Sequence, residues 1–163
     1  MSTVKRRSQK QEKSVAKSFN ARPTVASGAL WFSKGDVRND KFLIECKTTE
    51  KDYYSITTKV WEKIEDEALK DRMRTPLLII DLQDTDRYVV FNPNQFVRQV
   101  NTYEVAPHVH GGCKSYRFKG YTQEDLPILF SVIPLKSKKK NHILMVMKMT
   151  EFVDFFEKEL KEE

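Results

Sequence analysis

The residues best suited to chemistry lie in one segment, Gly35-Asp36-Val37-Arg38-Asn39-Asp40-Lys41-Phe42-Leu43-Ile44-Glu45-Cys46-Lys47. Alternate residues of a strand share a face, so Leu43, Glu45 and Lys47 point one way and Phe42, Ile44 and Cys46 the other. A two-residue turn at Asn39-Asp40 sets Arg38 opposite Lys41, Val37 opposite Phe42 and Asp36 opposite Leu43. Opposed residues share a face, which brings Asp36 beside Glu45 and Lys47, diagonal to Glu45 and roughly 7–8 Å from it at the backbone. Two carboxylates so placed suit one hard divalent cation, Mg²⁺ or Mn²⁺, with the Cys46 backbone carbonyl as a third oxygen ligand and waters completing the shell. Such an ion stabilises the charge that builds up when a phosphodiester is hydrolysed. Lys47, on the same face, would orient the attacking water or neutralise that charge. The same residues would also serve as an exposed ladder of salt bridges. Phe42-Leu43-Ile44 weighs against the ladder: it makes the strand apolar on both faces, and charge at the end of a buried strand calls for a reason.

Glu12 is the second candidate. On a helix it lies three before Val15, four before Ala16 and seven before Phe19, so it joins their apolar stripe. It is either a capping partner for a lysine or a site residue that meets the sheet. The helix ends at Asn20 and Pro23. A helix from about Ile56 to Met73, with Ser55 as N-cap, is expected to turn Val60, Ile64, Glu67, Ala68 and Asp71 to one face. Thr75-Pro76 ends it. Leu77-Leu78-Ile79-Ile80 reads as a fully buried strand, Tyr88–Phe91 as another, and Pro93 as the start of a short helix through Val100. Further strands are expected at Ser115–Phe118, Ile128–Pro134 and His142–Met149, with an exposed loop at Lys136–Lys140. A last helix, Glu151–Lys161, carries Phe152, Phe155, Phe156 and Leu160 on its apolar side. This order predicts an α/β (α+β) fold, a mixed central sheet flanked by helices. Residues 1–10 are expected to form a flexible basic arm. Residues 11–163 should form one domain, with a core over 11–91 and a C-terminal extension over 92–163.

The net charge of +6 is polarised. Residues 1–22 hold seven Lys or Arg against Glu12 alone and account for all of it, as phosphate-backbone binding would use. Lys5, Arg6, Arg7, Lys10, Lys13 and Lys34 are the expected DNA contacts. Cys46 and Cys113 do not make a disulfide framework, no apolar run follows the basic N-terminus, and no stretch suits a membrane span. A cytoplasmic protein with no membrane partner is expected. No phosphate-cradling glycine loop with Lys-Ser/Thr is present, which argues against ATP use. His108, His110 and Cys113 lack a fourth zinc ligand at usual spacing and read as a polar, glycine-rich loop. Trp31 and Trp61 read as core.

From Gln11 to about Asp81 the chain resembles the small Holliday-junction resolvases of bacteriophages and archaea, members of the PD-(D/E)XK nuclease superfamily. The resemblance rests on Glu12-Lys13-x-x-Ala16, Ser27-Gly28-Ala29, Lys34-Gly35-Asp36-Val37, Phe42 through Thr48, and the long helix leading to Leu77–Ile80. It covers a little under half of the chain. It implies metal ligands at Asp36 and Glu45, a catalytic lysine at Lys47 and a carboxylate near the metal at Glu12. It also implies that Ser27 lies in a loop approaching the scissile phosphate. Gly35 stands where that superfamily often has proline. The expected activity is Mg²⁺-dependent endonuclease cleavage of four-way or branched DNA during recombination. A restriction-type nuclease on duplex DNA and a catalytically silent DNA-binding module on the same fold are the alternatives. Two opposed cuts in a two-fold symmetric junction call for a homodimer. The apolar residues of the last helix and of Ile143–Met149 are the sequence's material for its interface, unless they close the monomer's own core.

Overall fold

A computed structural model describes residues 3–24, 35–83, 86–96, 112–121 and 130–156. Ser27, Trp31, Lys34, His108, His110 and Leu160 lie outside them. The described residues form a mixed α+β fold with three α-helices and a mixed seven-stranded sheet. Helix α1 (Thr3–Ser18) is followed by β1 (Arg22–Pro23), β2 (Val37–Arg38), β3 (Phe42–Thr48) and β4 (Tyr54–Thr57). Helix α2 (Thr58–Lys70), β5 (Thr75–Asp81), β6 (Arg87–Phe91) and a single 3-10 turn at Pro93–Gln95 come next. β7 (Ser115–Phe118), β8 (Phe130–Lys136), β9 (Asn141–Lys148) and α3 (Met149–Phe155) complete the order.

The large sheet runs β1-β2-β3-β5-β6-β9-β8, and β4 pairs with β7 in a separate two-stranded sheet. Only β3 and β5 are parallel, and helix α2 crosses between them. These two strands lie inside the sheet and are covered on both faces, which is why each reads as a continuous apolar run. One face packs Ile44, Leu77, Ile79, Val89 and Met145 beneath Val15 and Ala16 of α1, Phe19 just past its end, and Phe152 of α3. The other packs Leu43, Leu78, Ile80 and Val90 beneath Trp61, Ile64 and Ala68 of α2 and Phe118 of β7. Trp61 is fully buried, as expected of a core residue. Pro134, which cannot donate to a ladder, sits in β8 at the sheet's outer edge.

Several boundaries differ from expectation. Residues 3–10, read as part of a loose arm, continue α1, because lysine, arginine and glutamine favour helix without an apolar stripe. Helix α2 starts at Thr58: Thr57 is its N-cap, accepting the Val60 N–H at 3.2 Å, while Ser55 lies in β4 opposite Arg117. It ends at Lys70, where Arg72 and Met73 adopt positive φ of 59° and 57°. Past Pro93–Gln95 the expected short helix lies outside the described residues. Phe152 and Phe156 are buried in the chain's own core and β9 is flanked by β6 and β8, so these parts of the material suggested for a dimer interface are used internally.

Candidate active site at the end of strand β3

The hairpin that carries the candidate residues closes one position later than expected. Asn39 Oδ1 accepts the N–H groups of Lys41 (2.9 Å) and Phe42 (2.7 Å), so Asp40 and Lys41 become the two turn residues. Arg38 therefore faces Leu43 and Val37 faces Ile44, in place of Lys41 and Phe42. Each partner moves by two residues, which preserves the face of every side chain. At Asp36 the regular register no longer holds: its N–H donates at 2.9 Å to the carbonyl of Ile44, the residue already paired with Val37.

The β2 ladder stops at Val37. Gly35, with φ +69°, turns the chain there, a conformation closed to proline. A Cβ at Gly35 would lie 2.9 Å from Leu43 Cγ. Asp36 then completes the ladder with its side chain, Oδ2 accepting the Cys46 N–H at 2.8 Å. Cys46 thus turns its N–H to the outer edge of β3, and a strand residue's carbonyl points the same way. Glu45 and Lys47 share the opposite face from Cys46, as expected, and Lys47 Nζ stands 2.6 Å from Glu45 Oε1. The Glu45 side chain is 10% exposed and that of Lys47 37%, so a buried carboxylate meets a half-exposed ammonium.

Helix α1 brings Glu12 to the same end of β3, where Ser8 donates to its Oε1 at 3.1 Å. Burial, the charge of Asp36 and, more weakly, that of Glu45 push the Glu12 carboxyl above its usual pKa, against the Ser8 hydrogen bond. Glu12 thus feels the repulsion of both Asp36 and Glu45. Burial works against the charge of Lys47, but the Glu45 hydrogen bond and the charges of Glu45 and Asp36 outweigh it and raise its pKa. Lys47 is therefore an ammonium at neutral pH, a donor and not a base. Burial, then Asp36 and Glu12, push the Cys46 thiol far up, which makes it inert as a nucleophile.

Gln11 belongs to the site and was not anticipated from sequence. It is 1% exposed, lies four before Val15 on the core stripe, and donates from Nε2 to the Lys47 carbonyl at 3.0 Å. Its Oε1 is buried without a hydrogen-bond partner, as is Thr48 Oγ1. The signal was available: position 11 shares the α1 stripe as fully as position 12. Tyr54 was also missed. Its half-buried phenol is pushed up by burial and feels the charges of Lys47 and Glu45. Of the expected DNA contacts, Lys5, Arg6, Lys10 and Lys13 lie on α1 away from the core, whereas Arg7 turns back to donate to the Leu82 carbonyl at 3.2 Å.

The donor set at this edge is wholly oxygen, which suits a hard cation. Among the described residues, no three His, Cys, Asp or Glu side chains are grouped closely enough to hold a metal ion. No helix among them is long and apolar enough to cross a membrane. No protein-family model matches the chain, nor does any curated protein or solved structure.

Proposed function

We propose that this chain is a Mg²⁺-dependent DNA endonuclease acting on branched or four-way DNA, with Mn²⁺ as a substitute ion. The observation that carries the reading is the Glu45–Lys47 pair at the end of β3, with the Asp36 carboxylate on the neighbouring Cys46 amide and Glu12 near enough to feel both carboxylates. The charge of Glu12 is costly beside Asp36 and Glu45, and a cation there would remove that cost. Asp36, Glu45 and the Cys46 carbonyl would hold the ion, with Glu12 beside it. Bound there, it would supply positive charge to the phosphoryl oxygens and acidify water. Lys47 stays protonated and donates to the charge developing on the phosphate. Asp36 also ties the Cys46 amide, which fixes the backbone that presents the carbonyl. The outward-facing cations of α1 would bind the flanking phosphates.

A gel assay with a synthetic four-way junction and a linear duplex, with and without Mg²⁺, tests the reading. Cleavage of the junction only with the ion, lost in Asp36→Asn and Glu45→Gln, is expected. The asparagine side chain keeps an oxygen acceptor for the Cys46 amide, so folding survives the first change. Cutting that persists in EDTA, or in both variants, overturns the assignment. Preference for linear duplex keeps the nuclease and removes the junction.

A further inference from the structure

Beyond β3 the chain passes through Glu50, Lys51 and Asp52 to Tyr53, one residue before the Tyr54 that senses the Glu45–Lys47 pair. Tyr53 is not packed as a core ring. The Arg117 guanidinium carbon lies over it, 4.4 Å from the ring centroid, and Lys51 Nζ lies 5.3 Å from the centroid and 3.4 Å from the hydroxyl. Arg117 comes from β7, opposite Ser55, and is exposed, while its neighbour Phe118 is buried. Strand β7 and its flanks, Gly112–Tyr121, hold Lys114, Arg117 and Lys119, all exposed, and no acidic residue. The acids of this region are Glu50 and Asp52, both exposed in the preceding loop.

A guanidinium laid on an aromatic ring is a preformed planar surface, and flanking lysines suit a phosphate backbone. A paired duplex offers its bases only edge-on in the grooves, whereas an unpaired strand offers their flat faces. We propose that the Arg117–Tyr53 stack, flanked by Lys114 and Lys119, holds unpaired bases of the DNA strand that leads into the Glu45–Lys47 end of β3. The proposal rests on the nuclease reading for the identity of the nucleic acid. It accounts for why this side of the small sheet concentrates cations that the core does not use. It also gives a reason for forked DNA to be favoured, since the unpaired strand of a fork is open to stacking.

The test uses the full chain in EDTA, so that nothing is cut. Fluorescence anisotropy measures binding to a single-stranded oligothymidylate and to a blunt duplex of equal length, and a 2-aminopurine base reports stacking. Arg117→Lys keeps the charge and removes the plane, and Tyr53→Leu removes the ring. Each is expected to weaken single-strand binding about tenfold, the scale of one base–aromatic contact. Duplex binding and melting temperature should hold, and the wild-type 2-aminopurine quench should vanish. Unchanged single-strand binding in both variants, or an equal loss on both DNA forms, overturns the platform. Wild type that stacks bases but cuts no DNA with Mg²⁺ leaves the platform standing and removes the nuclease. Wild type that cuts while both variants bind normally does the reverse.

Discussion

Replacing Lys47 with methionine separates the two partners that Glu45 must serve. In the structure Glu45 Oε1 is taken by Lys47 Nζ at 2.6 Å, so a cation at Glu45 would compete with the ammonium. Met keeps much of the lysine stem and removes only the charge. Removing one partner of a buried pair costs about 3–5 kcal/mol, against about 0–1 kcal/mol for a surface pair. Here the carboxylate is 10% exposed and the ammonium 37%, which places Lys47→Met between those limits, at about 2 kcal/mol. For a domain of this size about 2 kcal/mol corresponds to a fall of roughly 4–8 °C in Tm. A ligand at one hundred times its Kd stabilises the fold by about 2.7 kcal/mol. With the ammonium gone, Glu45 binds the ion without competition, so Mg²⁺ should raise the variant's Tm more than the wild type's and narrow the gap. Differential scanning calorimetry with MgCl₂ against NaCl of equal ionic strength reads both numbers. Glu45→Gln should show no specific Mg²⁺ shift. A gap that Mg²⁺ leaves unchanged, or a Glu45→Gln protein stabilised as much as wild type, refutes the reasoning.

Other perturbations test neighbouring steps. Glu12 has a folded pKa raised by burial and by Asp36, so its charge costs stability above its unfolded pKa and that cost is relieved as pH falls. Glu12→Gln should therefore raise the Tm of the metal-free protein at pH 7 and flatten its rise toward pH 5, while lowering cleavage; an unchanged Tm would place Glu12 away from the other carboxylates. Glu62 has the opposite sign, its carboxyl held low by His142, whose Nε2 lies 3.0 Å from its Oε1. The stability it contributes is present above the unfolded pKa and is lost as pH falls through the folded one, so Glu62→Gln should flatten the acid limb of a Tm–pH curve. Replacing Lys5, Arg6 and Lys10 with glutamine keeps α1 helical and should lower the salt slope of duplex binding by about 0.9 for each phosphate no longer neutralised. An unchanged slope would make that face a spectator.

Much of the fold was legible because burial on both faces leaves an unmistakable run, as in Leu77–Ile80, and because Val15, Ala16 and Phe19 repeat at helical spacing. What escaped was set by contacts distant in sequence. Ser55 is a good helix cap by type, yet β7, some sixty positions on, claims it for a strand. Nothing near Phe152 announces that it packs against Phe19 and Phe91, which is why the last helix could also be read as an interface. Gln11 was lost for a different reason: a neutral side chain attracts less notice than the adjacent carboxylate, though it reaches the β3 backbone itself.

Glu45 and Lys47 keep their common face although the hairpin closes elsewhere than its sequence suggests, and the period of the strand explains why. Asn39 draws the turn one residue later by accepting two amides, which shifts each cross-strand partner by two. A shift of two returns every paired side chain to its own face, whereas a slip of one would reverse them all. The common face of Glu45 and Lys47 therefore depends on strand parity, whereas Asp36 is placed by the irregular backbone beside Gly35. The finer geometry depends on Gly35, whose positive φ ends the ladder and lets the Asp36 carboxylate take the place of a main-chain acceptor for Cys46. Any residue with a Cβ there is strained in φ and meets Leu43 at 2.9 Å. Position 35 thus controls the site without contributing a functional group to it.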